Sequence, residues 1–400
     1  MRVRDRWLGR ALVLGVALAL VASCSSSGSG ADAGAPATTT PAYPRDGDLR
    51  LNQIQVLGSH NSYHVEPDAD VKAKIDTVVP GVTDLWQYTH APLADQLGTS
   101  GVRQVEIDIW ADPAGGRWQD HHVLAAVGRP IASGDPDLAE PGLKVFHVPE
   151  LDHKSTCATF VRCLEAIRAW SDANPRHVPV TILVEAKDGP TIPDILGLGF
   201  VAPLPFDAAA LDEMDREIRS VFPDDRLITP DDVRGDHVTL EAAVRTQQAW
   251  PTLADARGKV LFLLDNADLR QRYADGHPSL QGRPVFTNAA AGEPEGAFVE
   301  RNDPVGDADQ IRWLVEQGFI VRTRADADTQ EARSGDTSVR DAALASGAQF
   351  VSTDYEVADT RWGHGYVVAI PGGTPARCNP RNAPSWCRPE DIEDPAHLTR

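Results

Sequence analysis

Glu106 and Asp108 stand two apart in Val-Glu-Ile-Asp-Ile-Trp, a β-prone run, so both carboxylates leave the strand on the same side. Two like charges held close in an apolar setting need a cation or a shared proton. Glu185 closes Thr-Ile-Leu-Val-Glu, a second run in which a bare charge is costly. With the amide oxygen of Asn61 these acids form an all-oxygen donor set, which suits Ca²⁺ or Mg²⁺ better than zinc. His60 and His147 end two further apolar runs, and imidazole is the side chain that gains or loses a proton near neutral pH. A hard cation, several acids and two imidazoles together point to phosphoryl transfer.

These residues can meet only if the chain brings separate strand ends to one place. Short β-rich runs recur at Ile54–Gly58, Gln104–Ile109, Lys144–His147, Val180–Glu185, Val260–Leu264, Pro284–Thr287, Phe319–Thr323 and Gln349–Thr353. Helix-length stretches separate them; Thr159–Ala173 carries Phe160, Cys163, Leu164, Ile167 and Trp170 at helical spacing, and Ala209–Val221 is a second such segment. The alternation predicts an α/β fold, a (β/α)8 TIM barrel with extra helices between the fourth and fifth strands. In such a barrel the functional groups sit at the C-terminal strand ends. The runs here end in His60-Asn61, Glu106 and Asp108, His147, Glu185, Asp265-Asn266, Asn288, Arg322 and Arg324, and Asp354-Tyr355.

The segments that carry these residues are Leu-Gly-Ser-His-Asn-Ser-Tyr (57 to 63), Gly-Val-Arg-Gln-Val-Glu-Ile-Asp (101 to 108), Lys-Val-Phe-His (144 to 147) and Ile-Leu-Val-Glu-Ala-Lys (182 to 187). In order and spacing they resemble the calcium-dependent phosphoinositide-specific phospholipases C, most closely the bacterial, secreted branch of the PLC-like phosphodiesterases. The likeness extends through Tyr88 to Leu97, Leu151 to Cys157, Val321 to Asp326 and Ser352 to Tyr355. It implies that His60 and His147 are catalytic and that Asn61, Glu106, Asp108 and Glu185 bind Ca²⁺. It implies further that the inositol 2-hydroxyl of phosphatidylinositol attacks phosphorus, with Glu106 or Glu185 taking its proton and diacylglycerol leaving. Lys187, Arg322 and Arg324 remain as phosphate-binding residues and Tyr355 as a platform for the sugar ring. So few cations predict a preference for unphosphorylated phosphatidylinositol.

Two other readings compete. Glycerophosphodiester phosphodiesterases share a Glu-x-Lys at the fourth strand, which Glu185-Ala186-Lys187 fits, but that family has His-Arg-Gly where this chain has His60-Asn61-Ser62. A lipoprotein that binds lipid headgroups without cutting them should have lost a catalytic group, and none is missing. His121-His122 lie in a polar, Gly-rich stretch and read as surface residues.

Composition sets the compartment. There are 58 acidic against 38 basic side chains, a formal charge of −20, which repels nucleic acid. Four Arg and one Asp stand in Met1–Arg10, an apolar run follows from Ala11 to Ala22, and Leu20-Val21-Ala22-Ser23-Cys24 resembles a bacterial lipobox. We expect a signal peptide over 1–23, diacylglyceryl attachment at Cys24, a disordered Ser/Gly/Pro tether over 24–44, and one catalytic domain over 45–400, monomeric and extracytoplasmic. The four other cysteines fall in two close pairs, Cys157 with Cys163 and Cys378 with Cys387, and in an exported chain these predict two local disulfides.

Overall fold

A computed structural model describes residues 43–187, 194 and 196–399. The signal segment, Cys24 and nearly all of the tether lie outside the described residues. Ten strands form one sheet: β1 (Ile54–Ser59), β2 (Gln104–Ile109), β3 (Val180–Ala186), β4 (Leu227–Ile228), β5 (Val260–Leu264), β6 (Val285–Thr287), β7 (Phe298–Glu300), β8 (Ile320–Arg324), β9 (Phe350–Thr353) and β10 (Ala376–Cys378). The parallel ladder runs from β6 through β5, β3, β2, β1, β9 and β8 to β7, with the short β4 beside the first half of β5. Between β6 and β7 only the bridge Asn288–Phe298 remains. The sheet is therefore strongly curled and TIM-like, where a closed barrel was expected.

β5, Val-Leu-Phe-Leu-Leu, reads as an unbroken apolar run, as a strand covered on both faces does, and every residue of β1, β2 and β5 is buried, the polar ones included. Register demands a glycine at one point. Gly58 pairs with Gln104, and a Cβ there would stand 2.0 Å from Gln104 Oε1, inside a buried layer.

The helices expected from spacing form at Phe160–Ala173 and Ala208–Val221. Thr159 caps the first by accepting from Arg162 N at 3.3 Å, and Asp207 caps the second by accepting from Ala210 N at 3.0 Å. Three shorter helices, Pro230–Arg234, Leu240–Val244 and Leu253–Ala256, fill the long connection to β5. Both expected disulfides are present, Cys157–Cys163 and Cys378–Cys387. The second braces β10, which pairs antiparallel with the first half of β1 and gives the C-terminal segment its place at the N-terminal end of the sheet.

One expected strand is not a strand. Lys144–His147 makes only isolated antiparallel bridges, Lys144 with Trp110 and with Thr159, because its backbone pairs with the chain leaving β2 and not with a sheet edge. β2 therefore pairs directly with β3, and the strand not expected is β7, three residues beside β8 and too short to stand out by periodicity.

Candidate active site

All strands from β1 to β9 are parallel, so their C-terminal ends open on one face. β1 delivers Ser59 and the turn that follows it. Asn61 adopts φ 45°, a left-handed conformation that asparagine tolerates, and its Nδ2 donates to the Tyr88 hydroxyl at 2.9 Å. Its Oδ1 is buried without a hydrogen-bond partner among the described residues.

The acids gather beside it. One carboxylate oxygen each from Glu106 on β2, Glu185 on β3 and Asp265 after β5 lies within 4.8 Å of the others. Asp108 is fully buried; its oxygens accept no well-aligned hydrogen bond, although Lys187 Nζ stands 2.9 Å from Oδ2. Burial pushes the Asp108 carboxyl up, and Glu185 and Glu106 add to this against the pull of Lys187. Glu300 at the end of β7 is also held up by burial, with Arg322 opposing; its Oε1 accepts no hydrogen bond among the described residues and stands 3.6 Å from Arg322 Nη1. A donor set made only of oxygens, with several buried and unpaired, is what a hard divalent cation satisfies, so the residues fit Ca²⁺.

Each expected cation is already paired. Lys187 Nζ lies 2.5 Å from Glu185 Oε2, Arg322 donates to Glu106, and Arg324 Nη2 lies 2.9 Å from Asp354 Oδ2. Tyr355 is 2 % exposed and stands edge-on to Tyr366, and its hydroxyl donates to the Gln87 carbonyl at 3.5 Å.

The two histidines face this cluster from opposite supports. His60 Nδ1 donates to Asp354 Oδ1 at 2.7 Å, and Nε2 stands 3.7 Å from Glu106 Oε1. Burial and Arg324 pull its pKa down to about 4, against Asp354 and Glu106. His90 fixes the backbone beneath, donating to the His60 carbonyl at 2.8 Å and to Glu356 at 2.9 Å. Burial alone would lower the His90 pKa; the Glu356 carboxylate outweighs it and raises it. His147 Nδ1 donates to Asp152 Oδ2 at 2.7 Å. Asp152 returns to its side because Val148 and Asp152 close a tight turn, with Glu150 at φ 73°. Both imidazole rings keep about a fifth of their surface open, 20 % and 21 %, so a substrate can reach them.

Asp354 and Asp152, the acceptors behind the histidines, Asp265 and Glu300 were not assigned from sequence. Asp265 was visible only as a strand-end acid. Glu300 follows Ala-Phe-Val, the same apolar-run-then-acid pattern as Glu185, and would have been found had β7 been recognised. His121, read as surface, is buried and stacks on His153 with ring centroids 4.0 Å apart.

A family model for calcium-dependent phosphoinositide phospholipase C matches residues 49–380. The chain belongs to this family. Comparison with curated protein sequences found no match. Among solved structures, the calcium-dependent phosphoinositol-specific phospholipase C of a Gram-negative Pseudomonas species, described as a myoinositol complex, is 18 % identical. It covers 85 % of this chain and 99 % of its own, with a TM-score of 0.51, which supports the fold. The Ca²⁺-dependent phosphatidylinositol-specific phospholipase C of Streptomyces antibioticus is 22 % identical over 77 % of this chain and 95 % of its own, with a TM-score of 0.47. The protein is thus a phosphoinositide phospholipase C, a phosphoric diester hydrolase that acts on lipid with Ca²⁺ as its cofactor.

Proposed function

We propose that this phospholipase C cleaves unphosphorylated phosphatidylinositol to diacylglycerol and an inositol phosphate, cyclic in the first instance, by attack of the inositol 2-hydroxyl. The observation that carries the reading is the pairing of two partly open imidazoles, each backed by a buried carboxylate, around buried acids with unpartnered oxygens. The myo-inositol in the Pseudomonas structure agrees with recognition of that ring. We read the curled sheet as a TIM barrel whose β6–β7 seam is one bridge wide.

Asn61, Glu106, Asp108, Glu185 and Asp265 are the residues that would hold Ca²⁺. When bound, Ca²⁺ supplies charge neutralisation at a phosphodiester oxygen and acidifies a hydroxyl beside it. Glu106 or Glu185 takes the proton of the attacking hydroxyl. His147 gives its Nε2 proton to the leaving glycerol oxygen, with Asp152 holding Nδ1–H so that the ring presents that edge. Negative charge at a non-bridging phosphoryl oxygen favours a second proton on His60, taken up from solvent at Nε2; from there the ring donates to that oxygen while Asp354 holds Nδ1–H and steadies the imidazolium.

The absence of extra ring phosphates in the substrate follows from the cations. Lys187, Arg322 and Arg324 are each engaged by a carboxylate, which leaves little positive charge for a polyphosphate. Access from a bilayer is supported by exposed Val78, Val79 and Leu85 after β1 and Val357 after β9. The first group lies at the mouth, because neighbouring Trp86 stands edge-on to His147 at 6.1 Å. We further propose that the chain is an extracytoplasmic monomer with catalytic domain 45–400, held at the membrane by lipid on Cys24, which like most of segment 24–44 lies outside the described residues. Among the described residues no helix is long and apolar enough to cross a membrane.

The test is release of diacylglycerol and inositol phosphate from phosphatidylinositol vesicles, with calcium, with chelator, and with His60→Ala. Release that needs both calcium and His60 is expected. Cleavage of glycerophosphoinositol alone would move the assignment to the deacylated diesters, and binding without turnover would make it a headgroup receptor.

A further inference from the structure

His64 ends the segment His60-Asn61-Ser62-Tyr63-His64, and its side chain is fully shielded from solvent. Its Nδ1 lies 3.1 Å from the Tyr88 carbonyl oxygen. Its Nε2 lies 3.0 and 2.8 Å from the two oxygens of Asp152. A backbone carbonyl has no proton to give, so Nδ1 must be the donor there. An ionised carboxylate also only accepts, so Nε2 must donate as well. With both nitrogens protonated the ring carries a positive charge.

The remaining possibility is a neutral Asp152 giving its own proton to His64. The same carboxyl also accepts from His147 Nδ1, on Oδ2 at 2.7 Å. Burial would raise the Asp152 pKa, yet His64 and His147 together bring it down to about 2. The Tyr88 ring lies against His64 with centroids 4.2 Å apart, and the negative face of an aromatic ring favours a cationic neighbour. Asp152, His147 and Tyr88 are the titratable groups that meet the His64 ring.

We propose that His64 is a positioning residue of the catalytic centre, a buried imidazolium that keeps Asp152 ionised and, through it, fixes the tautomer and orientation of His147. This rests on the reading of His147 as the group that serves the leaving oxygen. The His60 side of the site has the same construction. Asp354 takes His60 Nδ1 on one oxygen at 2.7 Å and Arg324 on the other at 2.9 Å. Each catalytic imidazole is therefore tied to a carboxylate whose second partner is a fixed cation. The shared carboxylate is a weaker pull on the histidine proton than an unshared one, which leaves that proton easier to transfer.

The experiment has a spectroscopic and a kinetic arm. In two-bond proton–nitrogen spectra of the calcium-free protein at pH 8, His64 should show two protonated ring nitrogens, assigned by their loss in His64→Gln. A neutral His64 ring there overturns the proposal. In the kinetic arm, His64→Gln retains a donor toward Asp152 without the charge, and His64→Phe retains neither. His64→Gln should lower kcat on phosphatidylinositol vesicles about 10- to 100-fold, with KM within about twofold. Its kcat–pH profile should move up by about one unit, because the His147 proton then faces an uncompensated carboxylate. In an Asp152→Asn background the same substitution should cost nothing further. A purely structural role would reduce the folded fraction and leave the profile in place, and that result also overturns the proposal. Wild-type protein that cleaves no phosphatidylinositol would retire the phospholipase reading instead, with the spectroscopic result standing by itself.

Discussion

Arg322 on β8 donates to Glu106 on β2, reaching past β9 and β1 to do so, and both side chains are 3 % exposed. The arginine also donates to Asn302 at 2.8 Å and lies 3.6 Å from Glu300, so it supplies positive charge to an acid cluster that otherwise repels itself. Removing one partner of a buried pair leaves the other uncompensated, at a cost of about 3–5 kcal/mol. Arg322→Met should therefore lower the melting temperature of the calcium-free enzyme, and Ca²⁺ should raise the variant's Tm by more than it raises the wild type's. Equal calcium increments in thermal unfolding scans would show that Arg322 does not do this.

Asp265 offers a carboxylate oxygen within 4.8 Å of one from Glu106 and one from Glu185. If it shares the cation, Asp265→Asn and Glu185→Gln should each weaken calcium binding about 10-fold or more, since affinity at oxygen sites follows the number of ligand charges. Calorimetric titration of each variant measures this directly. A loss in Glu185→Gln alone removes Asp265 from the ligand set.

Glu217, on the helix Ala208–Val221, accepts from Leu143 N at 2.8 Å while its other oxygen is buried and unpartnered. Burial raises its pKa to about 7. The folded state thus holds a proton that the unfolded chain has released, so the stability it contributes is full below about pH 4.5 and is lost as pH rises through 7. At 1.36 kcal/mol per unit, discounted for residual solvent, the loss should be about 2 kcal/mol. Urea unfolding at pH 5, 6 and 7 should show that slope in the wild type and a flatter one in Glu217→Gln; identical slopes would assign the pH dependence elsewhere.

The Cys378–Cys387 bridge spans nine residues at the end of β10, whose pairing with β1 seals the N-terminal end of the sheet. Closing a loop of that size lowers the entropy of the unfolded chain by about 2.5 kcal/mol at 25 °C. Replacing both cysteines with serine should destabilise the protein by about that amount in denaturant titrations and leave calcium affinity unchanged, because no acid of the cluster lies near this end. A change in calcium binding would mean that β10 positions the mouth as well.

Val79 is 37 % exposed and Val357 62 % exposed on segments that leave the C-terminal ends of β1 and β9. Val79→Asp with Val357→Asp should cut turnover on vesicles about 10-fold or more, since each buried valine contributes about 1.5 kcal/mol or more to leaving water. Activity on a water-soluble, short-chain substrate should stay within about twofold. Parallel losses on both substrates would place these residues in the site and not at the membrane.

The sequence by itself determined what strand chemistry and spacing can carry. Apolar runs at β1, β2, β3, β5, β6, β8 and β9 are long enough to read, and the polar residue closing each is adjacent in the chain, so His60, Asn61, Glu106, Asp108 and Glu185 were legible as a site before any geometry. The paired cysteines were legible because their partners are near neighbours. Tertiary structure alone decided which side chains answer each other across the sheet. β7 is three residues long and carries no readable period, whereas Lys144–His147, strand-like in sequence, pairs its backbone with Trp110 outside the sheet. Asp354 lies 294 residues from His60, and Glu106 lies 216 residues from Arg322; no local pattern encodes such pairs, because the unpaired cost that enforces them exists only once both groups are buried. The charge of His64 is the clearest case. Its residue type says only that it can carry a proton, and the Tyr88 carbonyl and the Asp152 carboxylate, one on each nitrogen, require that it carry two.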